Sequence, residues 1–289
     1  MFSPSWSFAG LTPPHSDLVS SKVVILPVPY DGTTEWHSGT REGPRSIIEA
    51  SVYLEWYDIE LEREIYEIGI HTLPELQPSI NCASDTIERV YKATKDLLEK
   101  AKFVVTLGGE HSITAGTVRA FSETYSNFCV LQLDAHTDLR DQYQGSKFSH
   151  ACVMRRVIDM CPIVQAGVRS MSLEEKQFIA SRGLQPFLLS DSSPHSVPVK
   201  EIVNSLSDNV YISIDMDVFD PSIMPAVGTP EPGGLFWDEL LNLLKSVSQN
   251  KNIVGFDIVE LCPNQGPASC PFTAAKLAYK LIGYSFYNK

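Results

Sequence analysis

The stretch Phe128-Cys129-Val130-Leu131-Gln132-Leu133-Asp134-Ala135-His136-Thr137-Asp138 joins a short apolar run to a burst of acidic and imidazole side chains. A run of this length, rich in apolar residues, reads as a strand buried on both faces, the kind found in parallel sheets. The same reading extends outward. Val23–Val28, a weaker Glu64–Ile70, Phe103–Leu107, Ile163–Val168, Gln185–Leu189, Val210–Ile214 and Ile253–Ile258 are further candidate strands. Amphipathic stretches of helical length separate them, near Gly43–Leu54, Ala83–Lys100, Ile113–Tyr125, His150–Met160, Leu173–Ser181, Val197–Leu206, Phe236–Gln249 and Pro271–Tyr287. Strands alternating with helices predict an α/β fold: one three-layer α/β/α sandwich around a mostly parallel sheet of about eight strands. No linker, repeat or low-complexity stretch divides the 289 residues, so a single domain over 1–289 is expected. Its first 20 residues, where Met1–Pro14 is rich in Ser, Pro and aromatics, read as an arm laid on the surface.

Ligands of open parallel sheets sit beyond the carboxyl ends of the strands, so the residues just past each strand are informative. Gly108-Gly109-Glu110-His111-Ser112 follows Phe103–Leu107, and Asp134-Ala135-His136-Thr137-Asp138 follows Phe128–Leu133. Asp215-Met216-Asp217 follows Val210–Ile214, and Glu260 follows Ile253–Ile258. Each piece alone is weak. A single histidine is more often a hydrogen-bonded structural residue, an Asp pair can cap a helix, and Gly108-Gly109 lacks the rest of a phosphate loop. Four strand ends of one chemical kind are a different matter. In Asp134-x-His136-x-Asp138 and Asp215-x-Asp217, extended backbone would point alternate side chains to one face, as a comb. Carboxylates crowded in one crevice repel unless they are protonated or bind cations. Imidazole mixed with carboxylate suits manganese or zinc better than calcium and also admits iron, cobalt and nickel, and there are too many candidate ligands for one ion.

The formal charge of −12, with 43% hydrophobic and 20% charged residues, argues against nucleic acid or an anionic membrane surface as a main partner. The six cysteines are scattered without a CxxC pair or zinc-like spacing. No leader of secretory type opens the chain, and no run approaches the ~18 apolar residues of a membrane span. The expected location is cytoplasmic.

The motifs Gly-Gly-Glu-His-Ser at 108–112, Asp-Ala-His-Thr-Asp at 134–138, Ser-Ile-Asp-Met-Asp-Val-Phe-Asp-Pro at 213–221 and Gly-Thr-Pro-Glu-Pro-Gly-Gly at 228–234 resemble those of the arginase, agmatinase and formiminoglutamase superfamily, the ureohydrolases. The likeness runs from Gly39-Thr40-Arg41 to Asp257-Ile258-Val259-Glu260. It implies two Mn2+ ions per chain. His111, Asp134, Asp138 and Asp215 would hold one ion; Asp134, His136, Asp215 and Asp217 would hold the other, with Asp134 and Asp215 bridging. It further implies that the cations activate a shared water, which Asp138 orients, that Glu260 holds a guanidinium, and that His150 carries a proton to the leaving amine. Trimers or hexamers of the chain are the family's usual assemblies.

Such a centre is net negative, which a small cationic guanidine compensates. Arginases typically carry an asparagine two residues beyond the second aspartate of the 134–138 motif; here it is Arg140. This favours agmatinase, which turns agmatine into putrescine and urea in polyamine biosynthesis. Beside a diamine tail Arg140 would repel, unless Asp141 pairs with it or it points away. Guanidinobutyrate, arginine, formiminoglutamate as the substrate of a formimino hydrolase, and a metal-binding scaffold without turnover are the alternatives.

Overall fold

Most of the apolar runs become strands in the computed structural model, which describes residues 6–190, 193 and 195–287. In chain order the strands are β1 (Val23–Val28), β2 (Tyr57–Asp58), β3 (Arg63–Glu64), β4 (Ile70–Thr72), β5 (Phe103–Gly108), β6 (Phe128–Leu133), β7 (Ile163–Val168), β8 (Phe187–Leu188), β9 (Asn209–Asp215) and β10 (Asn252–Val259). β2 and β3 make a small antiparallel hairpin. The other eight form one sheet in the order β4-β1-β5-β10-β9-β6-β7-β8, and every pairing in it is parallel.

The helices are α1 (Gly43–Ser51), α2 (Ala83–Glu99), α3 (Thr114–Thr124), α4 (Val153–Val157), α5 (Leu173–Arg182), α6 (Val199–Ser205), α7 (Trp237–Asn250) and α8 (Ser269–Tyr287). Strand side chains alternate between two cores. Ile25, Leu107 and Ile214 face one core, with Ile47 of α1, Leu243 of α7 and Leu277 of α8. Val24, Val104 and Val130 face the other, with Val90 of α2, Val118 of α3 and Met154 of α4. With apolar layers on both sides, the central strands have no polar face, hence their unbroken hydrophobic runs. The result is the expected three-layer sandwich.

Three local expectations change. The weak strand at Glu64–Ile70 is a 3-10 turn over Ile65–Ile68, and pairing with β1 starts only at Ile70. Gly69, at φ 78°, makes the break between them, while the Tyr66 N–H donates to the Tyr279 hydroxyl at 3.1 Å. The helix expected over His150–Met160 is a 3-10 turn, His150–Cys152, followed by the short α4. The N-terminal arm is not merely laid on the surface. Phe8, Ala9 and Leu11 are buried in the first core, and the Phe8 and Ala9 N–H groups donate to the Thr72 and Ser51 hydroxyls, each at 2.8 Å. Burying a phenylalanine such as Phe8 is worth roughly 2–3 kcal/mol, enough to pin the segment. Met1–Ser5 of that arm lie outside the described residues.

Candidate active site

The four strand ends singled out by the sequence belong to β5, β10, β9 and β6, which are consecutive neighbours in the sheet. Their registers align Leu107 with Ile258, Val259 with Asp215, and Leu133 with Ile214. Strands lie about 4.8 Å apart, so side chains leaving these ends share one crevice. A cavity of about 290 Å³ opens there, lined by His111, His136, Asp138, Asp215 and Asp217 together with His150 and Glu260. Asp134 lies beneath it, fully buried.

The side chains converge through turns, not through a strand-like comb. β6 ends at Leu133, and β9 passes at Asp215 into a 3-10 turn over Met216–Val218. The Asp134 Oδ1 accepts the His136 N–H at 2.6 Å and the Asp215 Oδ1 accepts the Asp217 N–H at 2.9 Å. Both are aspartate side chains closing their own turns two residues on. Asp217 in turn accepts the Ala135 N–H at 3.0 Å, which ties the two loops together. Asp138 has φ 53°, and this left-handed kink carries its carboxylate back to His111. Gly109 has a separate reason to be glycine: a Cβ there would stand 2.0 Å from the Tyr30 carbonyl oxygen. Gly109 thus serves the close approach of the β1 and β5 loops, while a Cβ at Gly108 would instead stand 2.8 Å from Val259.

Two overlapping groups could each hold a cation: His111, Asp134 and Asp215, and Asp134, His136 and Asp217. The His111 Nδ1 is 3.1 Å from Asp134, 3.1 Å from Asp138 and 3.3 Å from Asp215, yet it is buried without a hydrogen-bond partner. Its other nitrogen explains why. The Ser213 hydroxyl donates to Asp257 at 2.7 Å, so it receives the His111 Nε2–H, 2.9 Å away. Burial opposes charge on His111, but Asp134, Asp138 and Asp215 outweigh it and raise the imidazole well above its usual value, so Nδ1 faces three carboxylate oxygens at a place that takes either a proton or a cation. The residues fit divalent metal.

The electrostatics point the same way. Burial opposes charge on His136, yet the Asp217 and Asp134 carboxylates outweigh it and raise the imidazole to about 12. Burial and the neighbouring Asp134 push Asp138 up to about 7. Burial, Asp217 and Asp134 push Asp215 well above the carboxylate range. With protein groups alone, the cluster recruits protons for want of positive charge.

Glu260 follows β10 with φ 63°, and its Oε1 accepts the His111 N–H at 2.6 Å. Burial and then Glu110 raise its pKa well above the usual value. Burial pushes His150 down to about 4, so the imidazole is neutral at neutral pH. Titration near pH 7, the reason for favouring a histidine there, does not hold in this cavity. Arg140 does not pair with Asp141, which bonds Arg156 at 2.8 Å. It leans on Glu175 at 3.9 Å and stacks over Tyr143 at 5.0 Å.

Several supporting residues escaped the sequence reading. Glu175 closes the capping box of α5 and also accepts from Thr137 and Leu139; only the Ser-x-x-Glu spacing of Ser172 and Glu175 could have marked it. Arg169 donates to the carbonyls of Asp217, Phe219, Glu231 and Pro232, pinning the Pro-Gly-rich loop against the end of β9. Backbone carbonyl partners leave no trace in a sequence. Glu110, counted among the acidic strand-end residues, turns away from the cluster toward Thr33 and Ser112.

A parallel α/β sheet that gathers aspartates and histidines from four neighbouring strand ends defines a class of metal-binding α/β proteins. Residues 21–283 match the Arginase family, and the chain belongs to it. It is 41% identical to an N(1)-aminopropylagmatine ureohydrolase of Synechocystis sp., over 91% of this chain and 88% of that protein. It is 38% identical to the agmatinase of Pyrococcus horikoshii, over 94% and 95%. The crystal structure of the agmatine ureohydrolase of Thermoplasma volcanium superposes with a TM-score of 0.87 at 32% identity, covering 99% of this chain and 95% of that one. Among the described residues no helix is long and apolar enough to cross a membrane.

Proposed function

We propose that the chain is a two-manganese ureohydrolase acting on guanidines with an amine tail, agmatine foremost, and releasing urea. The observation that carries this reading is the unpartnered His111 Nδ1 among three carboxylates, in a cavity that Glu260 also lines. His111, Asp134, Asp138 and Asp215 would hold one cation, and Asp134, His136, Asp215 and Asp217 the other. When bound, the pair supplies a water acidified toward neutrality.

The chain's own residues do the rest. Glu260 holds the planar guanidinium through Oε2, because Oε1 is taken by the His111 N–H. Asp138, kinked toward His111, orients the attacking water. His150 rests neutral, with a ring nitrogen able to take the proton that the attacking water gives up and pass it to the amine as the C–N bond breaks. The tail extends toward a mouth lined by Glu35, Trp36 and Tyr143, an acidic and aromatic setting suited to an amine. Arg140 lines the same cavity, and Glu175 at 3.9 Å offsets part of its charge toward a diamine tail.

Two of the relatives named above differ in substrate, agmatine and N(1)-aminopropylagmatine, and this mouth is compatible with the longer tail as a second reading. Urea release with added manganese, from agmatine, N(1)-aminopropylagmatine, guanidinobutyrate and L-arginine, tests the proposal. Both amine-tailed guanidines should exceed L-arginine in kcat/KM. A preference for L-arginine, or formamide release from formiminoglutamate, would overturn it.

A further inference from the structure

The site contains two imidazoles that each lean on a hydroxyl whose proton is already committed to a buried carboxylate. The first is the Asp257–Ser213–His111 chain described above. The second is built from Glu110, Thr33 and His150. Glu110 is fully buried at the end of β5 and makes no ion pair among the described residues. It receives the Thr33 N–H at 2.6 Å, the Thr33 hydroxyl at 2.7 Å and the Ser112 hydroxyl at 2.5 Å. A threonine hydroxyl has one proton to give and two lone pairs to offer. With its proton given to Glu110, the Thr33 Oγ1 can only accept. It faces two groups of His150: the backbone N–H at 3.1 Å and Nδ1 at 3.3 Å.

The consequence is a fixed tautomer. Nδ1 must carry the hydrogen in neutral His150, so Nε2 keeps its lone pair. Nε2 has no protein partner among the described residues, and His150 lines the cavity. The Ser149 hydroxyl, 3.4 Å from Nδ1, can accept the same hydrogen and is compatible with this tautomer, whereas the Thr33 Oγ1 can do nothing but accept. The same device thus operates twice with opposite results. Ser213 frees Nδ1 of His111 for a cation, and Thr33 frees Nε2 of His150 for a proton.

We infer that Thr33, its hydroxyl locked by Glu110, is a positioning residue that holds His150 in the Nδ1–H tautomer with Nε2 free to carry the proton to the leaving amine. This rests on the reading of His150 given under Proposed function. Thr33 lies on the loop after β1 and Glu110 just after β5, its neighbour in the sheet, so the pair also fixes the loop on which the cavity mouth is built.

The test is a mutant cycle on the manganese-loaded full chain with agmatine. Thr33→Val keeps the shape and removes the hydroxyl; Thr33→Ser keeps the hydroxyl. Thr33→Val should lower kcat about 10- to 100-fold, with KM and bound metal each within about twofold of the parent. Thr33→Ser should restore kcat to within about threefold. In a His150→Asn background, Thr33→Val should cost nothing further, because groups that act through one another are not additive. Wild-type kcat in Thr33→Val, metal loss in that variant, or an undiminished further loss in the double variant would overturn the inference while leaving His150 in its role. Full turnover by His150→Asn alone would instead overturn the reading of His150, and this inference with it.

Discussion

Glu260 shows how far a single residue could be read. Its place after an apolar strand and its resemblance to a guanidinium-holding carboxylate were visible, but its backbone was not. The left-handed φ of 63° and the N–H bond from His111 leave one oxygen for a ligand. Glu260→Gln keeps an acceptor for the His111 N–H and replaces the free oxygen by an amide NH2 that cannot bind a guanidinium. Metal content should stay near that of the parent. The loss of a charge-assisted contact, about 2–4 kcal/mol, corresponds to a fall in kcat/KM of roughly 30- to 1000-fold. Elemental analysis and urea release from the same preparation check this. Lost metal together with lost turnover would make Glu260 a support of the metal cluster instead. The metal-type side chains were legible because four strand ends carry the same kind of side chain, where any one of them alone would be ordinary. Thr33, Ser213 and Arg169 were not, since threonine, serine and an arginine bound to carbonyls look ordinary in any sequence.

Among the elements, the least predictable was the region between α1 and β4, where a hairpin and a 3-10 turn replace the weak strand. Local pattern could not reveal it, because α8, more than 200 residues later, decides it. Lys280 of α8 bonds Asp58 at 3.1 Å and Glu60 at 2.8 Å, Lys245 of α7 bonds Glu60 at 2.7 Å, and the Tyr284 hydroxyl donates to Glu60 at 2.6 Å. Burial opposes charge on Glu60, but Lys245, Lys280 and Tyr284 outweigh it and hold the carboxyl at about 2. A depressed carboxyl stabilises the fold above its unfolded pKa of about 4.3, and that contribution fades as pH falls toward 2. Glu60→Gln should therefore lower the melting temperature at pH 7, by about 2–4 °C for a loss near 1 kcal/mol after solvent screening. The gap between variant and parent should narrow in thermal scans run from pH 5 downward. A gap that widens with acid would contradict the assignment.

At the scale of the whole molecule, the alternation of apolar strands and helices gave the layers, but strand order had to come from the structure. That order matters for function. β5 and β6 are separated in the sheet by β10 and β9, the last two of the four strands to be synthesised, so the crevice is complete only when the chain is nearly finished. The six metal-type side chains therefore converge only in the folded sheet, and metal that binds the native state should stabilise it by linkage. Manganese should raise the melting temperature and a chelator should lower it, as calorimetry of the two forms would show.

The most direct test is a titration of chelator-stripped protein with manganese, following bound metal per chain and urea release from agmatine in the same samples. Activity should rise with occupancy and reach its plateau at two manganese ions per chain. A plateau at one ion, or full urea release from the stripped protein, would contradict the two-metal account of this site.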